Sequence, residues 1–266
     1  MNLQIKNNLI MVNFLEHDRE AFWRDGYFIL RDFVQEKQCI ELRDIAKQHL
    51  MSQLAPVEYE VDVQYPGSPK NRDAEGGSTP RRLLQAFSRH KKFRYWAQSE
   101  QLVSVLAKLF GSADISLSQC HHNCIMTKQP GYSSETMWHQ DNRYWSFDEE
   151  NLISVWLALG DEDIQNGCLQ VIRGSHREEI DQDRFDAAQF LRTNLASNRK
   201  LIDQSIPLEL SLGDALFFHS RLLHAAGKNL TGKTKLSIVF TYHEKNNRPV
   251  LNSRSARFPD ITIKPL

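Results

Sequence analysis

The sequence predicts a mainly β fold, an antiparallel sandwich or barrel backed by a helical layer on its N-terminal side, and three observations predict it. Up to about residue 110 the apolar positions recur at helical spacing. From about residue 113 they change to short β-favouring segments separated by Gly, Asn, Asp and Pro. No helices alternate with those segments, which argues against a parallel α/β sheet.

Within the helical part, residues 16–51 carry Phe22 and Trp23, a strand-like run at 27–30, and a second amphipathic stretch through Leu42, Ile45 and Leu50. Residues 55–80 then turn polar, ending in YPGSPKNRDAEGGSTP, too long for a passive connector. That stretch reads as a surface loop or as a lid that orders over a ligand. A further helix is expected at 100–110, with Leu102, Val105, Leu106 and Leu109 on one side and Gly111 closing it. The expected strands are 114–128, 152–159, 168–173, 206–210, 215–219 and 235–242. Residues 177–205 interrupt them with a charged, helix-forming insertion expected outside the barrel near one mouth. No internal repeat or domain boundary appears, so one domain is expected, with a helical layer at about 16–110 and a β core at about 113–245.

Composition narrows the function classes. The 266 residues are 41% hydrophobic and 25% charged, which excludes a disordered tail, a collagen-like repeat and a membrane-embedded chain. Lys plus Arg equals Asp plus Glu at 33 each, so no global basic field exists to hold nucleic acid. Cys39, Cys120, Cys124 and Cys168 are too few and too scattered for a disulfide framework, and a reducing, cytoplasmic setting is expected. At the start of the chain the apolar run Leu9 to Val12 falls short of the ~7–15 residues of a signal peptide or the ~20 of a membrane span.

The chemistry is concentrated in MWHQDNRYW, residues 137–145, where His139 and Asp141 stand two apart. In a strand or its immediate extension both side chains leave one face and can grip one ion. An HxD triplet alone is weak evidence. A second strand far along the chain, ALFFHSRLLHAAGKN at 215–229, brings His219 and His224 into a similar apolar setting. Two imidazoles and a carboxylate with three coordination positions open suit non-haem Fe(II) and oxygen chemistry. A structural zinc would instead require four closed protein ligands.

FRYW at 93–96, TKQPG at 127–131, WHQD at 138–141, VWLAL at 155–159, NGCL at 166–169, GSH at 174–176, GD at 213–214 and HAAGKN at 224–229 follow one another in order. Through them the chain resembles the phytanoyl-CoA dioxygenase family of Fe(II)- and 2-oxoglutarate-dependent oxygenases over about residues 82–242. The resemblance implies a double-stranded β-helix, a cupin-like jelly roll with buttressing N-terminal helices, and an iron held by His139, Asp141 and His224. His219 is then a histidine packed at a strand end. The resemblance also implies that 2-oxoglutarate and O2 are consumed, a small organic substrate is hydroxylated, and succinate and CO2 are released. Related halogenases carry a small residue in place of the carboxylate, so Asp141 implies hydroxylation.

For the far carboxylate of 2-oxoglutarate the family usually supplies an arginine, and the matching position is Lys235. A lysine gives up the bidentate fork, so help from the hydroxyl of Ser237, two residues on, is expected. Trp156, Cys124 and Arg82 match further cosubstrate positions, while Ala226 stands where the family has a small hydroxyl residue. Each has a plainer reading: Lys235 as a strand-edge charge, Trp156 as core, Cys124 as a small buried hydrophobe, Arg82 as surface charge.

CHHNC at 120–124 invites a zinc reading, but in a strand its alternate side chains are ~6.5–7 Å apart and cannot converge on one tetrahedral ion. His122 and Cys124 are expected at the barrel mouth. Arg143, Tyr144 and Trp145 are expected to edge the pocket, and His176 of the GSH turn to serve structure or the lid. Specificity is expected in 55–80 and 177–205, where no motif is legible. Arg81, Arg82 and Arg143 could make a local patch for an anionic substrate. Two rival classes remain: a catalytically silent jelly roll that binds a small molecule, and a zinc hydrolase, which lacks a positioned nucleophile. The oligomeric state is open.

Overall fold

The computed structural model describes residues 14–63, 65 and 67–264; the apolar run Leu9 to Val12 lies outside them. The chain opens with α1 (Glu16–Asp25), β1 (Tyr27–Leu30) and α2 (Glu36–Met51). Next come β2 (Val57–Tyr59), a 3-10 turn (Glu60–Val63), β3 (Pro80–Leu84), α3 (Ala86–Arg89), α4 (Lys91–Ala97) and α5 (Glu100–Phe110). α5 has the predicted bounds because its apolar stripe and its stop signal agree. Leu102, Val105, Leu106 and Leu109 are buried, and Gly111 takes the left-handed conformation at φ +73° while its N–H bonds the Ala107 carbonyl.

The β core consists of β4 (Ile115–Leu117), β5 (Asn123–Lys128), β6 (Thr136–His139), β7 (Leu152–Ala158), β8 (Leu169–Val171), helix α6 (Ala196–Ile202), β9 (Ile206–Pro207), β10 (Ala215–His219), β11 (His224–Ala226), β12 (Lys235–Glu244) and β13 (Ile261–Thr262). They form two antiparallel sheets of a jelly roll. The major sheet runs β1-β10-β7-β12-β5-β3-β2, with β4 attached to β12 and β13 to β4; the minor sheet runs β6-β11-β8-β9.

Strand alternation decides which side chains reach the space between the sheets. On β7, Ile153, Val155 and Leu157 pack under the helices, while Trp156 and Ala158 face the minor sheet. On β12, Leu236, Ile238, Phe240 and Tyr242 go to the helical side and Val239 to the inter-sheet side, which Lys235 and Ser237 share by parity. Burial of both faces explains why these strands read as near-continuous apolar runs. No helix among the described residues is long and apolar enough to cross a membrane.

Several expected segments divide differently. The stretch 114–128 is two strands, because the chain leaves the sheet at Ser118–His122, where Cys120 meets the Phe258 carbonyl and His121 the Ser255 hydroxyl. The stretch 206–210 keeps only β9 as a strand, and Leu210 forms a separate bridge to Glu162. Residues 215–229 are two strands in different sheets, parted by a turn in which the Leu222 N–H bonds the His219 carbonyl. The polar 55–80 stretch supplies β2 and the buried Glu60. The 177–205 insertion is mostly irregular; its Ile180, Phe185 and Leu191 cover Trp138, Ile172, Leu223 and Ala225 on the outer face of the minor sheet.

Candidate metal centre

His139 ends β6 and His224 begins β11, and the two are direct register partners. Directly opposed residues project on the same face, so the pairing alone brings the imidazoles together, with ring centroids 4.2 Å apart. Asp141 begins the 3-10 turn that follows β6 and points back at them. His139 Nδ1 donates to the Met137 carbonyl at 2.8 Å and His224 Nδ1 to the Leu222 carbonyl at 3.0 Å, the same i to i−2 contact in both. With Nδ1 protonated, both Nε2 lone pairs are free for an ion.

Those Nε2 atoms lie 3.6 and 3.8 Å from Asp141 Oδ1, too far for hydrogen bonds. Two ligand atoms each about 2.1 Å from one ion stand roughly 3–3.6 Å apart, so the spacing is near that of a shared metal. All three residues are buried, each offers one ligand atom within 4.8 Å of the others, and Asp141 Oδ2 has no hydrogen-bond partner. A buried carboxylate oxygen left unpaired is costly unless a cation completes it. Burial pushes the Asp141 carboxyl up, but His122, His224 and His139 outweigh it and hold the group well below the usual carboxylate range. Burial and His139 push His224 down to about 4, against the pull of Asp141. The donor set therefore fits a divalent cation: one carboxylate, two imidazoles whose Nε2 atoms face it, and one unfilled oxygen.

The centre forms part of the wall of a cavity of about 520 Å³, the size of a small-molecule site. Lys235, Trp156, Cys124 and Arg82 all line it, as does Ala226. Ser237 is fully buried behind this wall. Lys235 Nζ donates to Glu162 Oε2 at 2.7 Å, Ser237 Oγ to Glu162 Oε1 at 2.6 Å, and Trp156 Nε1 to the same Oε1 at 2.9 Å. Lys235 and Ser237, matched to the cosubstrate's far carboxylate, and Trp156, matched to another cosubstrate position, thus converge on a carboxylate of the chain itself. Arg82 makes two bonds to Glu58, at 2.5 and 2.7 Å. Cys124 contacts the Met126 sulfur at 3.6 Å, and burial pushes its thiol up to about 12, so it stays neutral.

His219 points the other way. Its ring lies against Phe22, Trp23 and His176 beneath α1, outside the metal cluster. His176 of the GSH turn sits close to the Trp23 carbonyl at 3.1 Å, and a Cβ at Gly26 (φ +83°) would fall 2.5 Å from its Nδ1, so that contact requires glycine. The CHHNC side chains disperse. His121 stacks on Trp145 at 4.7 Å, while His122 contacts Ser154 Oγ at 3.1 Å and stands 3.6 Å from Asp141 Oδ2. His122 and Cys124 line the cavity, as do Tyr144 and Trp145. Arg143 does not: it lies 3.4 Å over the Phe185 ring and bonds Gln140, Gln182 and the Ile180 carbonyl. Arg81 pairs with buried Glu60 and Arg82 with Glu58, so the three arginines form no free anionic-substrate patch.

Glu162 and Lys128 were missed in the sequence. Glu162 sits in a Gly-Asp-Glu-Asp run with the signature of an exposed turn, and only its backbone pairing with Leu210 carries it inward. Lys128 appears only inside TKQPG; its burial depends on partners far along the chain.

Residues 22–237 match the profile of the family described as Phytanoyl-CoA dioxygenase (PhyH). A rice (Oryza sativa subsp. japonica) protein named phytanoyl-CoA dioxygenase 1 is 29% identical over 141 residues, covering 53% of this chain and 48% of its own length. The peroxisomal phytanoyl-CoA dioxygenase of Rattus norvegicus is 24% identical over 253 residues, covering 90% of this chain and 70% of its own. This chain thus spans about half the length of the rice relative. Among solved structures, the epimerase SnoN in complex with Fe3+, alpha ketoglutarate and nogalamycin RO shares the fold at a TM-score of 0.71, with 20% identity over 88% of this chain and 85% of that one. The matched span contains all three centre residues and the Lys235–Ser237 wall, and the chain belongs to the phytanoyl-CoA dioxygenase family.

Proposed function

We propose that this chain is an Fe(II)- and 2-oxoglutarate-dependent dioxygenase that hydroxylates a small organic substrate, working as one oxygenase domain. The observation that carries the reading is the buried cluster of His139, Asp141 and His224 on the wall of a small-molecule cavity, with one carboxylate oxygen unpaired. His139, Asp141 and His224 would hold the iron. When bound, the iron and the 2-oxo acid supply the oxidising power: O2 is consumed, 2-oxoglutarate is cleaved to succinate and CO2, and a C–H bond of the substrate becomes C–OH.

The residues present do the rest. The Met137 and Leu222 carbonyls fix both imidazoles in one tautomer. His122, near Asp141 Oδ2, holds that carboxylate in the anionic form that binds a cation. The largely apolar inter-sheet core limits water around the centre. Tyr144, Trp145 and Phe258 edge the cavity and would orient the substrate. The four free cysteines support a reducing compartment, the cytoplasm, as the setting.

The engagement of Lys235 by Glu162 favours a second reading, a catalytically silent jelly roll that binds a small molecule. Anaerobic Fe(II) plus 2-oxoglutarate separates the two. The dioxygenase is expected to show the weak visible charge-transfer band of a chelated keto acid and to release succinate when oxygen is admitted. A preparation that shows neither supports the silent reading, and a substrate screen scored by succinate release then follows only for the former.

A further inference from the structure

The wall beside Glu162 holds a second lysine. Lys128 ends β5 and Lys235 begins β12, and the two are direct register partners, so both side chains leave the same face. Both are buried and both line the cavity. Four cations cluster in this region, Arg81, Arg82, Lys128 and Lys235, and three of them are ion-paired. Glu60 takes Arg81, Glu58 takes Arg82, and Glu162 takes Lys235.

Lys128 is the cation left over. Among the described residues its ammonium makes one hydrogen bond, to the Ser134 carbonyl at 2.9 Å, and no ion pair. Two of its three N–H donors are therefore unused in a buried position. Asn229 Nδ2 donates to the Lys128 carbonyl at 2.8 Å, and a Cβ at Gly167 (φ +77°) would fall 2.4 Å from the Gly227 carbonyl oxygen and 2.9 Å from Lys128 Cδ, so the glycine of NGCL serves a close backbone approach and also leaves room for the side chain.

We propose that Lys128 receives the far carboxylate of the 2-oxo acid, while Lys235 stays ion-paired with Glu162. The inference rests on the dioxygenase reading and deepens it by naming the group that selects a dicarboxylic cosubstrate. Drawing Lys235 off instead would strand Glu162 as a buried anion, which is strongly unfavourable. Burial, Arg81 and Lys235 push the Lys128 ammonium down to about 7, against the weaker pull of Glu60 and Glu135, neither of which forms an ion pair with it.

The test is binding to the full chain loaded with Mn(II), followed by calorimetry and thermal shift. Two ligands are compared: 2-oxoglutarate, and 2-oxopentanoate, which has a methyl in place of the far carboxylate. Lys128→Met is expected to weaken 2-oxoglutarate roughly 10- to 100-fold, the value of a hydrogen bond to a charged group. It should leave 2-oxopentanoate unchanged and raise the melting temperature of the ligand-free protein, since a buried unpaired charge is gone; Lys128→Arg should restore most of the affinity. Wild type that binds while Lys128→Met binds 2-oxoglutarate equally well, or loses both acids alike, overturns the inference alone. Wild type that binds neither acid overturns the dioxygenase reading and the inference together.

Discussion

Two buried carboxylates serve the same cavity in opposite ways. Asp141 lines it with one oxygen unpaired and the other 3.6 and 3.8 Å from two imidazoles that do not hydrogen-bond it. Glu162 lies behind Lys235 and Trp156 with both oxygens engaged, by donors at 2.6, 2.7 and 2.9 Å. A satisfied polar cluster fixes the fold, whereas an unsatisfied one is held open for a ligand. By that criterion Asp141 fits the ligand role proposed for it and Glu162 a structural one, although the residues around Glu162 are those matched to a cosubstrate.

Asp141→Ala would break the comparison most severely. Succinate release is expected to fall below detection and Fe(II) binding to weaken sharply. The metal-free protein should keep its melting temperature within a few degrees, because the lost oxygen had no partner to strand. A variant that binds iron and turns over normally removes Asp141 from the centre; one that unfolds makes Asp141 a structural residue like Glu162.

The second experiment acts on the other carboxylate. Glu162→Gln leaves Lys235 buried without its anion, and breaking a buried pair costs about 3–5 kcal/mol. Chemical denaturation should show a loss of that order. The double change of Glu162→Gln with Lys235→Met should recover much of it, since it removes the stranded ammonium while the Gln oxygen still accepts from Ser237 and Trp156. A Glu162→Gln protein as stable as wild type would mean that the ammonium is free to turn into the cavity.

The same contrast explains what was legible in the sequence. The candidate metal centre is written locally: His139 and Asp141 fall within three residues on one strand end, and His224 needs only the β6–β11 pairing to meet them. Helix α5 was legible because its stripe and its glycine stop coincide. The Glu162 cluster was not, because it draws on Trp156, six residues earlier, and on Lys235 and Ser237, 73 and 75 residues later. No period of 2 or 3.6 encodes such a meeting, and the acidic turn around Glu162 looks solvated until its backbone pairs with Leu210. The 215–229 stretch failed for a related reason. Its apolar character is continuous across the turn, so only the pairing partners show that β10 and β11 lie in different sheets.

The smallest effect sharpens the comparison at that turn, between two histidines five residues apart. His224 presents Nε2 to the cavity, whereas His219 is enclosed by aromatic rings and its Nδ1 accepts the Arg221 N–H at 3.0 Å. Burial, then His176 and Arg221, push His219 down to about 3 from an ordinary 6.5. Between those values the unfolded chain binds a proton that the folded chain does not, so stability falls as pH drops from about 6.5 toward 3. The slope from this one group is about 1.4 kcal/mol per pH unit, and it vanishes above 6.5, where both states are neutral. Urea midpoints at pH 7, 6 and 5 should therefore converge for His219→Gln relative to wild type. Some acid sensitivity should remain from His121, pushed down to about 3 chiefly by burial. Should His219→Gln lose stability equally at every pH, the ring contributes packing alone, and its neutrality has no part in holding α1 against the sheet.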